Sequence, residues 1–286
     1  MKNYIFLLPL YNDWKSLERL LKDINNQMRK LNKKGQILVV DDFSRNIDKI
    51  NTKALNYLKT IEVLRLNRNL GSQKAISIGL KYLKNKKINS IITILDSDGE
   101  DNATKIKEMI NCAKKNSDNV IVSCRSKRSE GNIFRFLYIL HKVITFVFTL
   151  KWMNFGNFSS FHSKNLNKIL SNNSTWFAYS SSIAKNCKLY KLFAERRKRY
   201  YGKSQLSLSG LFLHSLRVNC VFLSRIILLS LIYILMLFFF IEEVYFLIIL
   251  VITFNAGILY TYYYIKPSEY SKRLKFLENK IFLKKL

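Results

Sequence analysis

The sequence predicts an α/β protein in which a domain built on a mostly parallel sheet is followed by a C-terminal hairpin of two transmembrane helices. Three observations predict it. Short apolar runs of strand length alternate with longer helical stretches through the first 130 residues, the mark of a parallel sheet with helices on both faces. Two runs near the C-terminus are each long enough to cross a hydrocarbon core of roughly 30 Å as a helix. Lys and Arg number 48 against 19 Asp and Glu, a net charge of +29. That surplus favours phosphate-bearing partners such as nucleotides, nucleic acid or anionic lipid, and excludes a basic partner surface.

Strands are expected at 4–9, 37–41, 62–66, 90–95 and 119–123, with helices at 14–31, 48–59, 72–84 and 103–115. The apolar N-terminal run is read as a buried first strand. Pro9, Asn12 and Asp13 interrupt it, and no small-residue cleavage site follows. Residues 133–153 are apolar but carry Arg135, His141, Lys142 and Lys151. This pattern suits a basic amphipathic helix in the membrane interface, with a core helix as the alternative. Residues 221–241 hold one charge, Arg225, and 244–265 hold none; Glu242 and Glu243 separate them. Arg217 precedes the pair, and Lys266, Lys272 and Arg273 follow it. The positive-inside rule puts both chain ends in the cytoplasm. The expected organisation is a cytoplasmic domain over 1–217, the hairpin within 218–265 and a basic cytoplasmic tail over 266–286, in an integral membrane protein of a bacterial inner membrane type. Cys112, Cys124, Cys187 and Cys220 form no C-x-x-C pair, which argues against a zinc site or a disulfide framework.

In sheets of this kind ligands sit beyond the carboxyl ends of the strands. Each expected strand delivers polar residues there: Pro9-Leu10-Tyr11-Asn12-Asp13, Asp41-Asp42-Phe43-Ser44, Asn67 to Lys74, Asp96-Ser97-Asp98-Gly99-Glu100-Asp101, and Cys124 to Arg128. Asp13, Asp41, Asp42, Asp96, Asp98 and Asp101, six of the 19 acids, collect at this edge. A very basic protein that concentrates carboxylates in one place is equipped to hold a cation. Asp96 and Asp98, one residue apart at a strand end, can share Mg²⁺ or Mn²⁺, whose shell is completed by substrate phosphates; the bland alternative is a turn with capping Asp residues. Gly71 and Lys74 open a helix whose N-terminus suits a phosphate, though an ordinary helix start reads the same way.

These motifs, in order, resemble glycosyltransferase family 2. The first loop is similar to P-x-Y-N-E, Val40 to Ser44 to V-D-D-G-S, Asn67 to Ala75 to R-N-x-G-x-x-x-A, and Asp96 to Asp101 to D-x-D-x-Q-D. Arg199-Tyr200-Tyr201-Gly202-Lys203-Ser204-Gln205-Leu206 resembles R-x-x-G-x-S-K-Y of the polyprenyl-phosphate branch, which includes dolichyl-phosphate mannosyltransferases and bactoprenol glucosyltransferases. The resemblance implies a GT-A (Rossmann-like) fold and a UDP- or GDP-sugar donor bound by Pro9, Tyr11, Asn12, Asp13, Asp41, Asp42, Gly71, Lys74 and Asp96. It implies Mg²⁺ or Mn²⁺ on Asp96, Asp98 and Glu100. The branch includes oligomers, so a homo-oligomer stays open. Asn154 and Asn157 stand where the branch often has acids, and Glu100 and Gln205 replace Gln and Lys.

Between Lys151 and Arg217 the only acid is Glu195, while Arg196, Arg197, Lys198, Arg199 and Lys203 cluster there. A phosphate acceptor is already an anion and needs cations rather than a base. The expected acceptor is therefore a polyprenyl phosphate held by Arg128, Arg199, Lys203 and Ser204, with Asp98, Arg125 and Arg199 as the catalytic set. The bland reading of the basic cluster is attraction to anionic membrane lipids, and both can hold together. Two other readings stay open. One is a hydroxyl acceptor on a lipid-linked glycan, with Asp101, Glu195 or His162 as base. The other is a membrane-anchored binding protein with a degenerate site. Nucleic-acid binding is not expected, because no stacking motif or DNA-binding pattern accompanies the charge.

Overall fold

The computed structural model describes residues 3–125, 132–202, 208–240, 245–265 and 277–284. Eight strands form one sheet: β1 (Asn3–Leu10), β2 (Gly35–Asp41), β3 (Leu58–Leu66), β4 (Ser90–Ile94), β5 (Asn119–Arg125), β6 (Phe155–His162), β7 (Lys188–Ala194) and β8 (Leu277–Lys284). The helices are α1 (Trp14–Lys30), α2 (Ser72–Asn85), α3 (Ile106–Lys115), α4 (Asn132–Thr149), α5 (Leu166–Ile169), α6 (Tyr179–Asn186), α7 (Leu208–Cys220), α8 (Leu223–Phe240) and α9 (Tyr245–Ile265). They divide into two compact units, one of residues 1–128, 154–204 and 267–286, the other of 129–153 and 205–266.

In the first unit the strand order is β7-β5-β6-β4-β1-β2-β3-β8. Strands β4, β1, β2 and β3 run parallel, and β7 is parallel to β5. From Tyr4 to Leu10 every residue of β1 is buried, as expected of a strand covered on both faces. Helix α1 turns Trp14, Leu17, Leu20, Leu21, Ile24 and Met28 inward; this is the three- and four-residue spacing of an amphipathic helix. These side chains join Phe6, Leu8, Val39, Val63, Met109, Ile110 and Phe158 in one core.

Three expectations are corrected. Residues 48–57 are not helical, and β3 begins at Leu58 instead of residue 62. Asn51 accepts a hydrogen bond from the Lys53 backbone N–H, a local bond that competes with helix, while Leu55 and Leu58 are buried. Strand β6 is inserted antiparallel between β4 and β5. Its Ser159 and Ser160 are fully buried, satisfied by Tyr179 and Thr93 hydroxyls at 2.7 and 2.8 Å. The expected tail contains β8, which pairs antiparallel with β3 and covers that edge.

The second unit is helical. α9 is long and apolar enough to cross a membrane, while α7 and α8 meet at an 88° bend and qualify only as one broken span. α8 and α9 match the two expected apolar runs, but residues 241–244, the expected turn with its Glu pair, lie outside the described residues. Outward side chains such as Leu231, Leu235, Phe239, Phe246 and Ile249 are exposed. The helices are joined by polar contacts. His141 Nδ1 meets Ser215 Oγ at 2.6 Å, Arg225 donates to the Thr149 carbonyl at 2.9 Å, and Tyr233 donates to the Val147 carbonyl at 2.6 Å.

Candidate active site

The parallel strands end together, so the loops after β1, β2, β4 and β7 converge at one edge. β1 ends at Leu10 beside Asp41 of β2, and Arg125 of β5 pairs with Ala194, the last residue of β7. Antiparallel β6 starts at this edge and brings Asn157 to it.

The first two loops are tied together. Asn12 and Phe43 both adopt positive φ, 52° and 68°. The Asn12 N–H donates to Ser44 Oγ and the Arg45 N–H to Asn12 Oδ1, both at 2.8 Å. Tyr11 and Phe43 are left 40% and 43% exposed at the mouth. Asp41 is fully buried. It accepts the Ser44 N–H at 3.0 Å and lies 3.6 Å from Arg65 Nη1, so its role is internal. Asp42 is also buried and accepts the Leu70 and Gly71 N–H groups, each at 2.7 Å. Burial pushes its carboxyl up to about 6, outweighing the two N–H bonds that favour the charged form. Asp41 and Asp42 thus make bonds within the protein, and the N–H groups of Leu70 and Gly71 point to Asp42. Lys74 lies over the Trp176 ring, 5.2 Å from its centroid.

The loop after β4 carries the remaining acids. Asp96 Oδ1 accepts from Asn157 Nδ2 at 2.9 Å, Asn157 Oδ1 accepts from Gln73 at 3.2 Å, and Gln73 Oε1 holds the Tyr179 N–H at 2.7 Å. Asp101 accepts the Asp96 N–H at 3.0 Å, and Ser97 Oγ donates to the Pro9 carbonyl at 2.8 Å. Segment 195–201, after β7, lies along this loop. Its Arg197 and Tyr200 N–H groups donate to the Glu100 and Asp98 carbonyls at 2.8 and 3.0 Å. Arg196 pairs with Glu100. Arg199 bridges Asp13 at 2.6 Å and Asp98 at 3.1 Å. The Tyr200 hydroxyl donates to Asp23 at 2.6 Å, and desolvation together with that acidic partner raises its pKa.

Among the described residues no group of three His, Cys, Asp or Glu side chains gathers as a metal cluster. The expected trio of Asp96, Asp98 and Glu100 is therefore not assembled, because Glu100 is paired with Arg196. Asp96 and Asp98, partly exposed hard-oxygen donors on one loop, still fit the one or two carboxylates that Mg²⁺ or Mn²⁺ requires. His162 pairs with Ile91 at the start of β4, the opposite end of the sheet, which removes it as a base. Arg125 closes β5 at the site edge; Arg128, Lys203 and Ser204 lie outside the described residues. Asp23, Gln73 and Tyr200 are not among the expected site residues. Arg196 carried a signal in the basic run, whereas Asp23 lies on a helix far away in sequence.

Comparison with known proteins now identifies the scaffold. The family model of glycosyl transferase family 2 matches residues 6–187. The chain belongs to this family. An undecaprenyl-phosphate 4-deoxy-4-formamido-L-arabinose transferase of Pectobacterium atrosepticum is 29% identical over 137 residues, 47% of this chain and 40% of that protein. The match thus spans well under half of that relative's length. An uncharacterized glycosyltransferase of Synechocystis sp. is 27% identical over 168 residues, 57% of this chain and 51% of its own. Among solved structures, mannosyl-3-phosphoglycerate synthase from Rubrobacter xylanophilus superposes with a TM-score of 0.54 at 14% identity, over 78% of this chain and 74% of the other. Glucosyl-3-phosphoglycerate synthase from Mycobacterium tuberculosis, solved with UDP, gives 0.50 at 12% identity over 79% and 80%. The sheet domain is the family's GT-A fold.

Proposed function

We propose that the protein transfers a sugar from a UDP- or GDP-sugar to a polyprenyl phosphate at a membrane surface, with Mg²⁺ or Mn²⁺ as cofactor. The observation that carries this is the interleaving of charge at the sheet edge. Asp13, Asp96 and Asp98 come from loops after β1 and β4, and Arg196 and Arg199 from the segment after β7. A site with both signs suits a reaction between two phosphate-bearing substrates. The curated relatives named for undecaprenyl phosphate support the choice of acceptor.

In this reading the donor lies over Tyr11, Asn12, Asp13 and Phe43, with its diphosphate beside Asp96 and Asp98. Asp96 and Asp98 would hold the divalent cation, which when bound would supply positive charge to stabilise the departing nucleoside diphosphate. Asn157 and Gln73 fix the Asp96 carboxylate. Arg199, with Arg196 beside it, orients the lipid phosphate. Its oxygen attacks the anomeric carbon as the bond to the diphosphate breaks, and the configuration inverts. The attacking oxygen is anionic near neutral pH, so no base is required.

In this reading the protein is attached to a membrane, with both flanks of the helical segment on the cytoplasmic side. In sequence the helical segment from α7 to α9 lies between β7 and β8, two strands of one sheet. A membrane segment that starts and ends on one side must cross an even number of times. α9 supplies one crossing, and the bent α7–α8 pair supplies the other. In this reading α4, apolar with basic residues, lies in the membrane interface.

The test is transfer by the purified full-length protein in detergent, with Mg²⁺ or Mn²⁺, undecaprenyl phosphate and labelled UDP- and GDP-sugars. Metal-dependent label in the organic phase that mild acid releases supports the reading. An acid-stable product would move the acceptor to a hydroxyl. No donor binding at all would make the site degenerate.

A further inference from the structure

The proposed cation site already contains a cation from the protein itself. The Arg199 guanidinium lies 2.6 Å from Asp13 Oδ2 and 3.1 Å from Asp98 Oδ2, and joins loops that follow two different strands. Side-chain exposures of 22% for Arg199 and 18% for each carboxylate leave the trio largely shielded, where charge pairing is stronger than at an open surface. This position is not an accident of a loose side chain. The backbone on either side is fixed by the Tyr200–Asp98 and Arg197–Glu100 bonds. The Tyr200 ring packs on Gly99, whose φ of +85° and missing Cβ let it approach, and its hydroxyl is anchored on Asp23.

We infer that Arg199 is an exchangeable counter-ion. It holds Asp13 and Asp98 in the unloaded site and gives up Asp98 when a divalent cation arrives with the nucleotide sugar. The released guanidinium then becomes available to a phosphate. Binding of donor and cation is thereby coupled to readiness for the acceptor. This inference rests on the proposed use of Asp96 and Asp98 for a divalent cation, and it predicts competition that a purely structural arginine would not produce.

The experiment measures Mn²⁺ binding to the full chain in detergent by loss of the free-ion paramagnetic resonance signal, without and with UDP. The variants are Arg199→Gln, Arg199→Lys and Arg197→Gln. The last makes the same charge change on a side chain that lines a cavity of about 300 Å³ beside α1, with Asp23, Arg29 and Lys30. Without UDP, Arg199→Gln should bind Mn²⁺ about tenfold more tightly than wild type, Arg199→Lys should fall between, and Arg197→Gln should match wild type. With UDP the advantage of Arg199→Gln should persist, because the guanidinium must still give up Asp98 and is freed for the acceptor's phosphate. Equal Mn²⁺ affinity in wild type and Arg199→Gln, or an equal gain in Arg197→Gln, overturns the exchange. Absence of Mn²⁺ binding in every variant, with or without UDP, overturns the divalent-cation reading and this inference together. If Arg199→Gln fails to fold, Arg199→Lys carries the same comparison.

Discussion

Substituting Gly99 by Ala tests how the basic segment is seated on the acidic loop. An added Cβ would lie 2.2 Å from Tyr200 Cδ2 and Cε2 and 2.6 Å from Cγ, whereas carbon atoms meet comfortably at about 3.5–4.0 Å. The ring would have to leave. With it goes the hydroxyl bond to Asp23, of a charged kind worth about 1.5–3 kcal/mol. The positive φ adds about 1–2 kcal/mol for any residue with a Cβ. The sum is about 2.5–5 kcal/mol, which for a domain of this size lowers the thermal midpoint by about 5–20 °C. In a Tyr200→Ala background the clash is gone and only the φ cost remains, so Gly99→Ala should then cost about 1–2 kcal/mol. The assay is a double-mutant cycle on thermal midpoint and on transfer rate. Coupling of about 2 kcal/mol is expected. If the two substitutions add without coupling, the ring does not rest on Gly99 and the account of segment 195–201 is wrong.

Phe43 occupies a left-handed position at φ 68° where the related motif has Gly, with its ring 5.8 Å from the Arg65 guanidinium carbon. Phe43→Gly should raise stability by about 1 kcal/mol yet weaken donor binding, because the exposed ring walls the mouth; parallel thermal melts and donor titrations would reveal a gain and a loss in one variant. The Asp42 carboxyl, raised from 3.8 to about 6 by burial, binds its proton more tightly in the folded state than in the unfolded. Its contribution is present below pH 3.8 and is lost as pH rises through 6. The stability of wild type relative to Asp42→Asn should therefore fall with rising pH across that window, by at most about 3 kcal/mol, in chemical denaturation at stepped pH. Asn157→Asp would set a second carboxylate against Asp96, at a contact now 2.9 Å long. Transfer should drop about tenfold and recover partly at high Mn²⁺, because like charges this close oppose each other unless a cation intervenes; a rate independent of metal concentration would contradict this.

Much of the fold was legible because parallel strands advertise themselves. β1 and β4 are unbroken apolar runs, and the acids that follow them mark where they end. The D-x-D loop and the two long apolar helices were equally plain. What escaped was structure decided at long range. β6 reads as polar because its serines are buried only by virtue of Thr93 and Tyr179 hydroxyls on other elements. β8 forms because β3 offers an open edge, a fact absent from its own residues. In the site, the acids stand where expected, and their partners are what the sequence did not show. Asp41 and Asp42 are consumed by Ser44, Arg65 and the turn before α2, and Glu100 by Arg196. Nothing local in Asp23 announces a bond to Tyr200, which is 177 residues away.

The proposed acceptor is a phosphate on a lipid. It is tested most directly by offering the purified protein undecaprenyl phosphate and undecaprenol side by side, with one active donor and Mn²⁺, and following label into the organic phase. Transfer to the phosphate alone is expected, with a product released by mild acid. Transfer to the alcohol, or equal transfer to both, would contradict it.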